Sequence, residues 1–262
     1  MTPMFDLTGQ VGLVTGAARG LGLAIAAVLA GHGARVAMLD NDGPALDAAA
    51  AALTADGATV EAHVADVADR ERLTAVIDAV AGSHGRLDIA FANAGVSAGP
   101  GFFFTPAGGI EQTRAERWDE VLAVNLSGTF ATMQAAARHM KKQRSGRIVA
   151  ISSIAGLMAE PHVGYAYAAS KAAVVNLVRQ AAVELAPYNV LVTGIAPGPF
   201  RTDIAGGRLA DPEVARAFAE TVPLGRIAGT DEIKGLALLL ASPASSFITG
   251  VTIAIDGGAT AA

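Results

Sequence analysis

An apolar run that enters a glycine-rich turn is the feature that most restricts the fold of this chain. Residues 10–15 read Gln-Val-Gly-Leu-Val-Thr and lead directly into Gly16-Ala-Ala-Arg-Gly20-Leu-Gly22. An alanine-rich helical pattern follows to about residue 29, and a second apolar run at 35–39 ends at Asp40. A strand, a glycine turn, a helix, a strand and an acid, in this order, predict a dinucleotide-binding βαβ unit.

The residues of this turn suit a pyrophosphate and its nucleoside. Glycines let the backbone approach the phosphates, and the helix that begins near Leu21 offers unpaired N–H groups and a positive dipole end. Asp40 stands where a carboxylate accepts the ribose hydroxyls and repels a 2′-phosphate, which favours NAD over NADP. Arg19 favours NADP instead, because a guanidinium in the turn could meet that phosphate. We give more weight to Asp40, since it sits at the strand end where the ribose lies.

Strand and helix patterns alternate along the rest of the chain. Further strands are predicted at 59–64, 87–91, 147–151, 190–195 and 251–255, and helices at 44–56, 69–81, 115–138, 165–186 and 231–240. This order predicts an α/β fold with a doubly wound, parallel seven-stranded sheet and helices on both faces, which is a Rossmann fold. No linker or repeat interrupts the order, so residues 1–262 are predicted to form a single domain.

Composition and charge exclude several classes of function. The 262 residues include no cysteine, which excludes disulfides, thiolate metal sites and cysteine nucleophiles. The histidines other than His162 show no metal-ligand spacing with one another, and we predict no catalytic metal. A net charge of −5 without a basic block predicts no nucleic-acid partner. No signal peptide and no membrane-length apolar run are visible, so a soluble cytoplasmic protein is expected.

Two more predicted strands end in residues that suit the same cofactor, because the carboxyl ends of parallel strands open towards one crevice. Asp66-Val67 follows the third strand, and its carboxylate could accept the exocyclic amine of adenine. The alternative role of Asp66 is an N-cap for the next helix, which Asp69 can provide instead. Asn93-Ala94-Gly95 follows the fourth strand, where Asn93 could brace the backbone or simply form a turn.

Two later segments are predicted to form the substrate side. The irregular loop at about 96–113 contains three consecutive phenylalanines, Phe102–104. An apolar loop of this kind is typical of a pocket wall or lid for an apolar substrate, and equally of a subunit contact. The second loop spans about 201–225, within which 204–221 is predicted to be a mobile helical segment covering a site. His162 could line the pocket, but a solvated loop histidine is the favoured interpretation.

A tyrosine and a lysine, Tyr167 and Lys171, are four residues apart in the predicted helix 165–186. Residues i and i+4 lie on one helix face. A nearby ammonium favours the phenolate, so we expect Lys171 to lower the pKa of Tyr167 and make it a proton donor and acceptor. Asn125 lies on an otherwise apolar helical segment, where a buried amide requires hydrogen-bond partners.

Taken together, these motifs resemble those of the short-chain dehydrogenase/reductase family, and the resemblance covers nearly the whole chain. The matching residues are Thr15-Gly16-x-x-x-Gly20-x-Gly22, Asn93-Ala94-Gly95, Asn125, Ser153, Tyr167-x-x-x-Lys171, Pro197-Gly198 with Thr202, and Asp256-Gly-Gly. The resemblance implies that four residues are catalytic: Asn125, Ser153, Tyr167 and Lys171. With the motifs above, the predicted cofactor-binding residues are Gly16, Arg19, Gly20, Leu21, Gly22, Asp40, Asp66, Val67, Asn93, Ala94, Gly95, Tyr167, Lys171, Pro197, Gly198, Phe200 and Thr202.

The resemblance also implies a role for each of these groups. Tyr167 is implied as the general acid/base, Ser153 as its partner on the substrate oxygen, and Lys171 as the group that holds the nicotinamide ribose. Asn125 is implied to bind a water that links Lys171 to solvent, and the segment at Pro197–Thr202 to hold the nicotinamide carboxamide. A homotetramer is implied as well, with the helix at 165–186 in one interface.

Three departures from the family pattern leave alternatives open. The segment between Ser153 and Tyr167 is one residue longer than usual, which makes Tyr165 a rival of Tyr167. Ser152 is a rival of Ser153, and strand alternation allows only one of them to face the site. The loop that carries Phe102–104 is also lengthened.

The leading hypothesis for function is an NAD-dependent oxidoreductase that interconverts a secondary alcohol and a ketone. The first alternative is an NADPH-dependent carbonyl or 3-oxoacyl-thioester reductase, which Arg19 favours. The second is a dinucleotide-binding regulatory protein without catalysis, against which the complete catalytic set argues.

Overall fold

The computed structural model describes residues 4–205 and 211–261. Within this part of the chain, seven strands form one sheet in the order β3-β2-β1-β4-β5-β6-β7, and every neighbouring pair is parallel. The strands are β1 (Val11–Thr15), β2 (Arg35–Asp40), β3 (Val60–Val64), β4 (Ile89–Ala92), β5 (Gly146–Ile151), β6 (Val190–Pro197) and β7 (Thr252–Ile255). The doubly wound parallel sheet predicted from the sequence is therefore confirmed.

Eight α-helices occur in the described residues. They are α1 (Gly20–Gly31), α2 (Gly43–Ala55), α3 (Arg70–His84), α4 (Ala115–Leu122), α5 (Thr129–Gln143), α6 (Tyr165–Leu185), α7 (Pro212–Glu220) and α8 (Lys234–Ala241). Short 3₁₀ turns join several of them. None of the helices in the described ranges is both long enough and apolar enough to cross a membrane.

The central strands are covered on both faces, and successive side chains enter opposite layers. Leu13 packs in a core with residues of α3, α5 and α6, whereas Val14 packs with residues of α1, α2 and α8. This alternation follows from the two-residue period of a strand. Because both faces are buried, β1 consists of five buried residues, Val-Gly-Leu-Val-Thr, and reads as one apolar run.

The order of the strands reverses between β1 and β4, which are hydrogen-bonded neighbours. The chain winds from β1 to β3 in one direction and from β4 to β7 in the other. The segments that leave the carboxyl ends of β1 and β4 therefore diverge and open a crevice, which is where open α/β sheets bind ligands.

The helix predicted at 115–138 is interrupted in the structure. A π-helical turn at Ala123–Gly128 separates α4 from α5, and α5 continues to Gln143. Asn125 lies in this turn and its amide is bonded to the loop after β4, so a tertiary contact accompanies the extra residue in the turn.

Two other predicted helices also differ in detail. The predicted helix at 231–240 begins as a 3₁₀ turn, Thr230–Ile233, before α8. Of the helical segment predicted at 204–221, the structure describes α7, and residues 206–210 lie outside the described ranges.

Candidate active site

The glycine turn after β1 is shaped by close contacts that exclude side chains. Gly16 and Gly20 have φ values of +67° and +58°. A Cβ atom on Gly22 would lie 2.0 Å from the Gly16 carbonyl oxygen. The N-cap of α1, Arg19, provides no side-chain acceptor, so the first-turn N–H groups of α1 have no cap to satisfy them. A compact turn that leads into an uncapped helix start fits a pyrophosphate.

The carboxyl ends of β1 and β4 are fastened together by Asn93 and Thr15. The Asn93 amide donates to the carbonyl oxygens of Thr15 (2.8 Å) and Gly16 (3.1 Å). The buried Thr15 hydroxyl accepts from the backbone N–H groups of Asn93 and Ala94. The bracing role suggested for Asn93 is thus seen in the geometry. The role of the Thr15 hydroxyl was missed, although Thr15 belongs to the glycine motif.

The Asp40 carboxylate is fixed at the end of β2 by two backbone donors. Ala18 N–H donates to Oδ2 (3.0 Å) and Asp42 N–H donates to Oδ1 (3.1 Å). Arg19 forms an ion pair with Asp42, and both side chains are largely exposed. The sequence reasoning missed Asp42, whose position two residues after Asp40 was the available signal. Asp42 draws the Arg19 guanidinium into an ion pair and reduces the positive charge that Arg19 presents to a 2′-phosphate.

Asp69, and not Asp66, is the N-cap of the helix that follows β3. Asp69 caps α3 by accepting from the Arg72 N–H at 3.0 Å, so Asp66 is not needed as the cap. Asp66 is exposed and accepts from the Ala68 N–H through one oxygen. Val67 is buried against Gly128, where an added Cβ would lie 2.8 Å from the valine side chain.

Asn125 is completely buried, and its amide joins two segments of the site. Its Oδ1 accepts from the Val96 N–H (2.8 Å), and its Nδ2 donates to the Val96 carbonyl (2.9 Å) and to the Ser170 hydroxyl (3.3 Å). Its backbone carbonyl accepts from the Thr129 hydroxyl. Both the Asn125 Oδ1 and the Lys171 Nζ would lie 3.4 Å from a Cβ atom on Gly95. Because Gly95 has no side chain, the Asn125 amide and the Lys171 ammonium can both lie close to its backbone.

The two serines after β5 have different tasks. The Ser152 hydroxyl donates to the Lys171 backbone carbonyl at 2.8 Å and is turned away from the phenol. Ser153 lies beside Tyr167: burial raises the pKa of this phenol, and hydrogen bonding with Ser153 partly opposes the rise. The geometry therefore brings Ser153, and not its neighbour, to Tyr167.

Lys171 lies one turn after Tyr167 on α6 and is 2% exposed. Its Nζ donates to the Ile151 carbonyl at 2.9 Å and lies 5.6 Å from the centre of the Tyr167 ring. Burial lowers the pKa of Lys171 from 10.5 to about 8. The lysine is thus a buried hydrogen-bond donor that loses its proton at a lower pH than an exposed lysine does.

The expected direction of the Tyr167 pKa shift is wrong for the protein as it stands. Burial raises the pKa of the Tyr167 phenol, and hydrogen bonding with Ser153 only partly opposes this rise. The physical reason is desolvation of the phenolate. Burial therefore favours the protonated phenol of Tyr167 over the phenolate.

The Tyr165 side chain contacts the phenylalanine loop, which makes Tyr165 a weaker candidate than Tyr167 for the general acid/base. Its ring stacks on Phe102, with 6.2 Å between the ring centres and 30° between the ring planes. The first turn of α6 therefore presents Tyr167 to Ser153 and Lys171, and Tyr165 to the phenylalanine loop.

The segment after β6 closes one side of the crevice. A Cβ atom on Gly198, which follows Pro197, would lie 2.8 Å from the Asp256 Cα, so β6 and the residues after β7 approach closely here. Phe200 is buried and forms a single bridge with Ala228. The Thr202 side chain approaches Gly20, and both line a cavity of about 280 Å³ beside α1. Thr202 is thereby placed next to the glycine turn.

The interpretation of His162 as a solvated loop residue is wrong. His162 is 5% exposed and its ring lies 4.5 Å from Phe103 and 5.1 Å from Phe218, measured between ring centres. Its burial depends on side chains distant in the sequence, which the local sequence does not reveal. In the described residues, no group of three His, Asp or Glu side chains is placed to hold a metal ion.

Comparison with known proteins agrees with this geometry. Residues 16–260 match a family model described as enoyl-(acyl carrier protein) reductase. The chain is 40% identical to D-threitol dehydrogenase of Mycolicibacterium smegmatis, over 98% of this chain and 95% of that protein. It is also 40% identical to cyclohexanol dehydrogenase of a Rhodococcus species, over 99% of both chains.

A solved structure extends the agreement to the fold. The gluconate 5-dehydrogenase of Burkholderia cenocepacia, in complex with NADP and tartrate, superposes with a TM-score of 0.90. It is 33% identical and covers 99% of this chain and 98% of its own. The chain belongs to the short-chain dehydrogenase/reductase family.

As a short-chain dehydrogenase/reductase, the chain is a member of a family of oxidoreductases that use a nicotinamide dinucleotide. Its residues fit such a cofactor in two ways seen in the structure. A side chain on Gly16 or Gly22 would collide with neighbouring backbone and with the Asn93 amide, so these glycines permit the tight turn before α1, and Asp40 presents a fixed carboxylate at the end of β2.

Proposed function

We propose that this short-chain dehydrogenase/reductase is an NAD-dependent enzyme that interconverts a secondary alcohol and a ketone, with Tyr167 as general acid/base. The observation that carries the proposal is the arrangement of Ser153 and Lys171 around the Tyr167 phenol at the switch-point edge of the sheet. A phenol and a hydroxyl on one substrate oxygen provide donors aimed at the alkoxide-like charge of the transition state.

In the proposed reaction, Tyr167 transfers the proton, Ser153 holds the substrate oxygen, and Lys171 stabilises the phenolate. In the direction of ketone reduction, Tyr167 starts protonated and gives its proton to the developing alkoxide while Ser153 donates a hydrogen bond to it. In alcohol oxidation, Tyr167 first gives its proton to solvent and then, as the phenolate, takes the proton of the alcohol hydroxyl. Lys171, released from the Ile151 carbonyl, favours that form by its charge. The bound nicotinamide would give or take the hydride.

Two observations support NAD as the cofactor. Asp40 is held by two backbone N–H groups at the end of β2, where its charge repels a 2′-phosphate. Arg19, the residue that favoured NADP, is paired with Asp42. The NADP complex of the gluconate 5-dehydrogenase supports the alternative of an NADPH-dependent reductase. A third possibility, a regulatory protein without catalysis, is less favoured because Asn125, Ser153, Tyr167 and Lys171 are all present.

The substrate side favours an alcohol on an apolar or cyclic body. Phe102 and Phe103 are 54% and 59% exposed and form an open aromatic wall beside α6. The relatives include a dehydrogenase named for a cyclic alcohol, cyclohexanol, and one named for a linear polyol, D-threitol. The test is a panel of cyclic and linear secondary alcohols with NAD and with NADP, read by the absorbance of the reduced nicotinamide. Failure of the whole panel while NAD still binds would favour the regulatory alternative.

The remaining expectations are part of the same proposal. Residues 1–262 act as one domain, and the protein is a cytoplasmic homotetramer without nucleic-acid or membrane partners. Val183 on α6 is 78% exposed and Phe130 on α5 is 45% exposed, which supports an interface along these helices. Light scattering of the purified protein tests the tetramer, and a monomeric mass would contradict it.

A further inference from the structure

The carboxylate of Asp42 is bound to two positive features of the structure at once. Its Oδ2 accepts from the guanidinium of Arg19, and its Oδ1 accepts from the backbone N–H of Ala45 at 3.2 Å. Arg19 stands at the start of α1, and Ala45 lies in the first turn of α2. Proteins use guanidinium groups and helix N-termini to bind phosphates, so Asp42 is an internal anion bound to both kinds of group.

The ion pair of Arg19 and Asp42 lies directly beside Asp40. The Asp42 N–H donates to Oδ1 of Asp40 at 3.1 Å, and the N–H of Ala18, the residue before Arg19, donates to Oδ2 at 3.0 Å. The segments that carry the two partners of the pair are thus each fastened to one oxygen of Asp40. In folds of this kind, an acid at this strand end binds the ribose 2′-hydroxyl, and a nearby arginine accommodates the 2′-phosphate of NADP. Arg19 is an arginine at this place, and Asp42 holds its guanidinium.

The pair contributes little to the stability of the fold. The Arg19 and Asp42 side chains are 52% and 40% exposed, and water and salt screen an ion pair of this kind. The N-cap of α2 requires only an acceptor, which an asparagine provides about as well as an aspartate does. Asp42→Asn therefore removes the charge that holds Arg19 and keeps the cap of α2.

We propose that Asp42 is a specificity-determining residue, whose carboxylate occupies the groups that would otherwise bind the 2′-phosphate of NADP. Asp40 repels that phosphate by its charge. Asp42 adds a second negative charge and also withholds the guanidinium that would compensate the phosphate. The chain therefore contains a latent phosphate subsite, made of Arg19 and the N-terminus of α2, which the loss of one charge opens. This inference rests on the proposed function, because it concerns the choice of NAD as the cofactor.

The test measures the binding of two probes that contain no nicotinamide, 5′-AMP and adenosine 2′,5′-bisphosphate, by titration calorimetry. The probes differ by one 2′-phosphate, and low ionic strength preserves interactions between exposed charges. The wild-type protein is expected to bind 5′-AMP more tightly than the bisphosphate. Asp42→Asn is expected to tighten bisphosphate binding by roughly tenfold or more, the size of effect of one hydrogen bond to a charged group, and to leave 5′-AMP binding within about twofold. The ratio of kcat/KM with NADP to kcat/KM with NAD is expected to rise in parallel.

A double-mutant cycle shows whether Asp42 acts through Arg19. Arg19→Gln removes the guanidinium, so adding Asp42→Asn to this variant is expected to lose most of its effect on bisphosphate binding. Asp69→Asn is the matched control. Asp69 is also an exposed N-cap aspartate, on α3, and its replacement changes the net charge by the same amount. This control is expected to bind both probes as the wild-type protein does.

The possible outcomes distinguish the inference from the proposed function. The role of Asp42 is overturned if Asp42→Asn leaves the preference for 5′-AMP unchanged, if its gain persists in full without Arg19, or if Asp69→Asn gives the same gain. The proposed oxidation of an alcohol stands in each of these cases. If the wild-type protein oxidises no alcohol with either nucleotide, the proposed function fails, and the binding of the two probes still decides the role of Asp42.

Discussion

Replacing Asn125 by leucine tests whether the buried amide holds the site together. The substitution keeps a similar volume and removes the bonds to both backbone groups of Val96 and to the Ser170 hydroxyl. Ser170 keeps its own bond to the Tyr167 carbonyl at 2.7 Å, so the main loss is at Val96. Each partly buried backbone group left without a partner costs about 1–2 kcal/mol, which gives a loss of about 2–4 kcal/mol.

The assay is urea-induced unfolding, with a thermal scan as a second measurement. For a chain of this size, a loss of this magnitude corresponds to a fall in Tm of roughly 5–15 °C. The matched control is Asn41→Leu, because Asn41 is exposed and lies outside the helices proposed as an interface. It is expected to change stability by less than about 0.5 kcal/mol. An Asn125→Leu protein as stable as this control would refute the structural role assigned to the amide.

Three further predictions concern cofactor choice, pH and the second serine. Asp40→Ala is expected to raise the ratio of kcat/KM with NADP to kcat/KM with NAD by about tenfold or more, because one negative charge close to the 2′-phosphate is removed. Steady-state kinetics measures this ratio, and an unchanged ratio would contradict the role of Asp40. Because burial lowers the pKa of Lys171 from 10.5 to about 8, the unfolded chain binds more protons between these values, and stability should rise with pH there. Relative to Lys171→Met, the wild-type protein should gain up to about 3 kcal/mol across that window in urea unfolding, and a constant difference would contradict the shift. Ser152→Ala should destabilise the fold by about 1 kcal/mol with kcat retained, because its hydroxyl bonds the Lys171 backbone and not the phenol.

The strand, the glycine turn and the fixed Asp40 carboxylate could be predicted well because their signals are local. The apolar residues of β1, the glycines of the turn and Asp40 follow one another within 30 residues of sequence, and each has a direct backbone consequence. The role of Asp42 was missed because an ion pair on the surface depends on where the Arg19 side chain turns. Sequence spacing fixes backbone positions better than it fixes the direction of long side chains.

The segments that follow β4 and β5 were harder to predict because they are held by contacts between distant parts of the chain. The π-helical turn at Asn125 accompanies hydrogen bonds to Val96, 29 residues earlier. His162 was expected to be solvated because loop histidines usually are, whereas its burial comes from contacts with Phe103 and Phe218. Spacing and periodicity carry no information about such contacts.

The pKa of Tyr167 shows a different limit of sequence reasoning. The i, i+4 spacing correctly placed Lys171 on the same side of α6, with its Nζ 5.6 Å from the centre of the phenol ring. It could not show that both groups are removed from water, and burial disfavours their charged forms. The spacing therefore predicted the pair but gave the wrong direction for the pKa of the phenol.

Tyr167 is proposed to move the proton, and one pair of variants tests this role most directly. Turnover of the best alcohol in the panel is measured for Tyr167→Phe and for Tyr165→Phe, while NAD binding is followed by the quenching of protein fluorescence. Tyr167→Phe should lose on the order of 10²–10⁴-fold in kcat and still bind NAD, whereas Tyr165→Phe should remain close to the wild type. Turnover that survives in Tyr167→Phe and is lost in Tyr165→Phe would contradict the account.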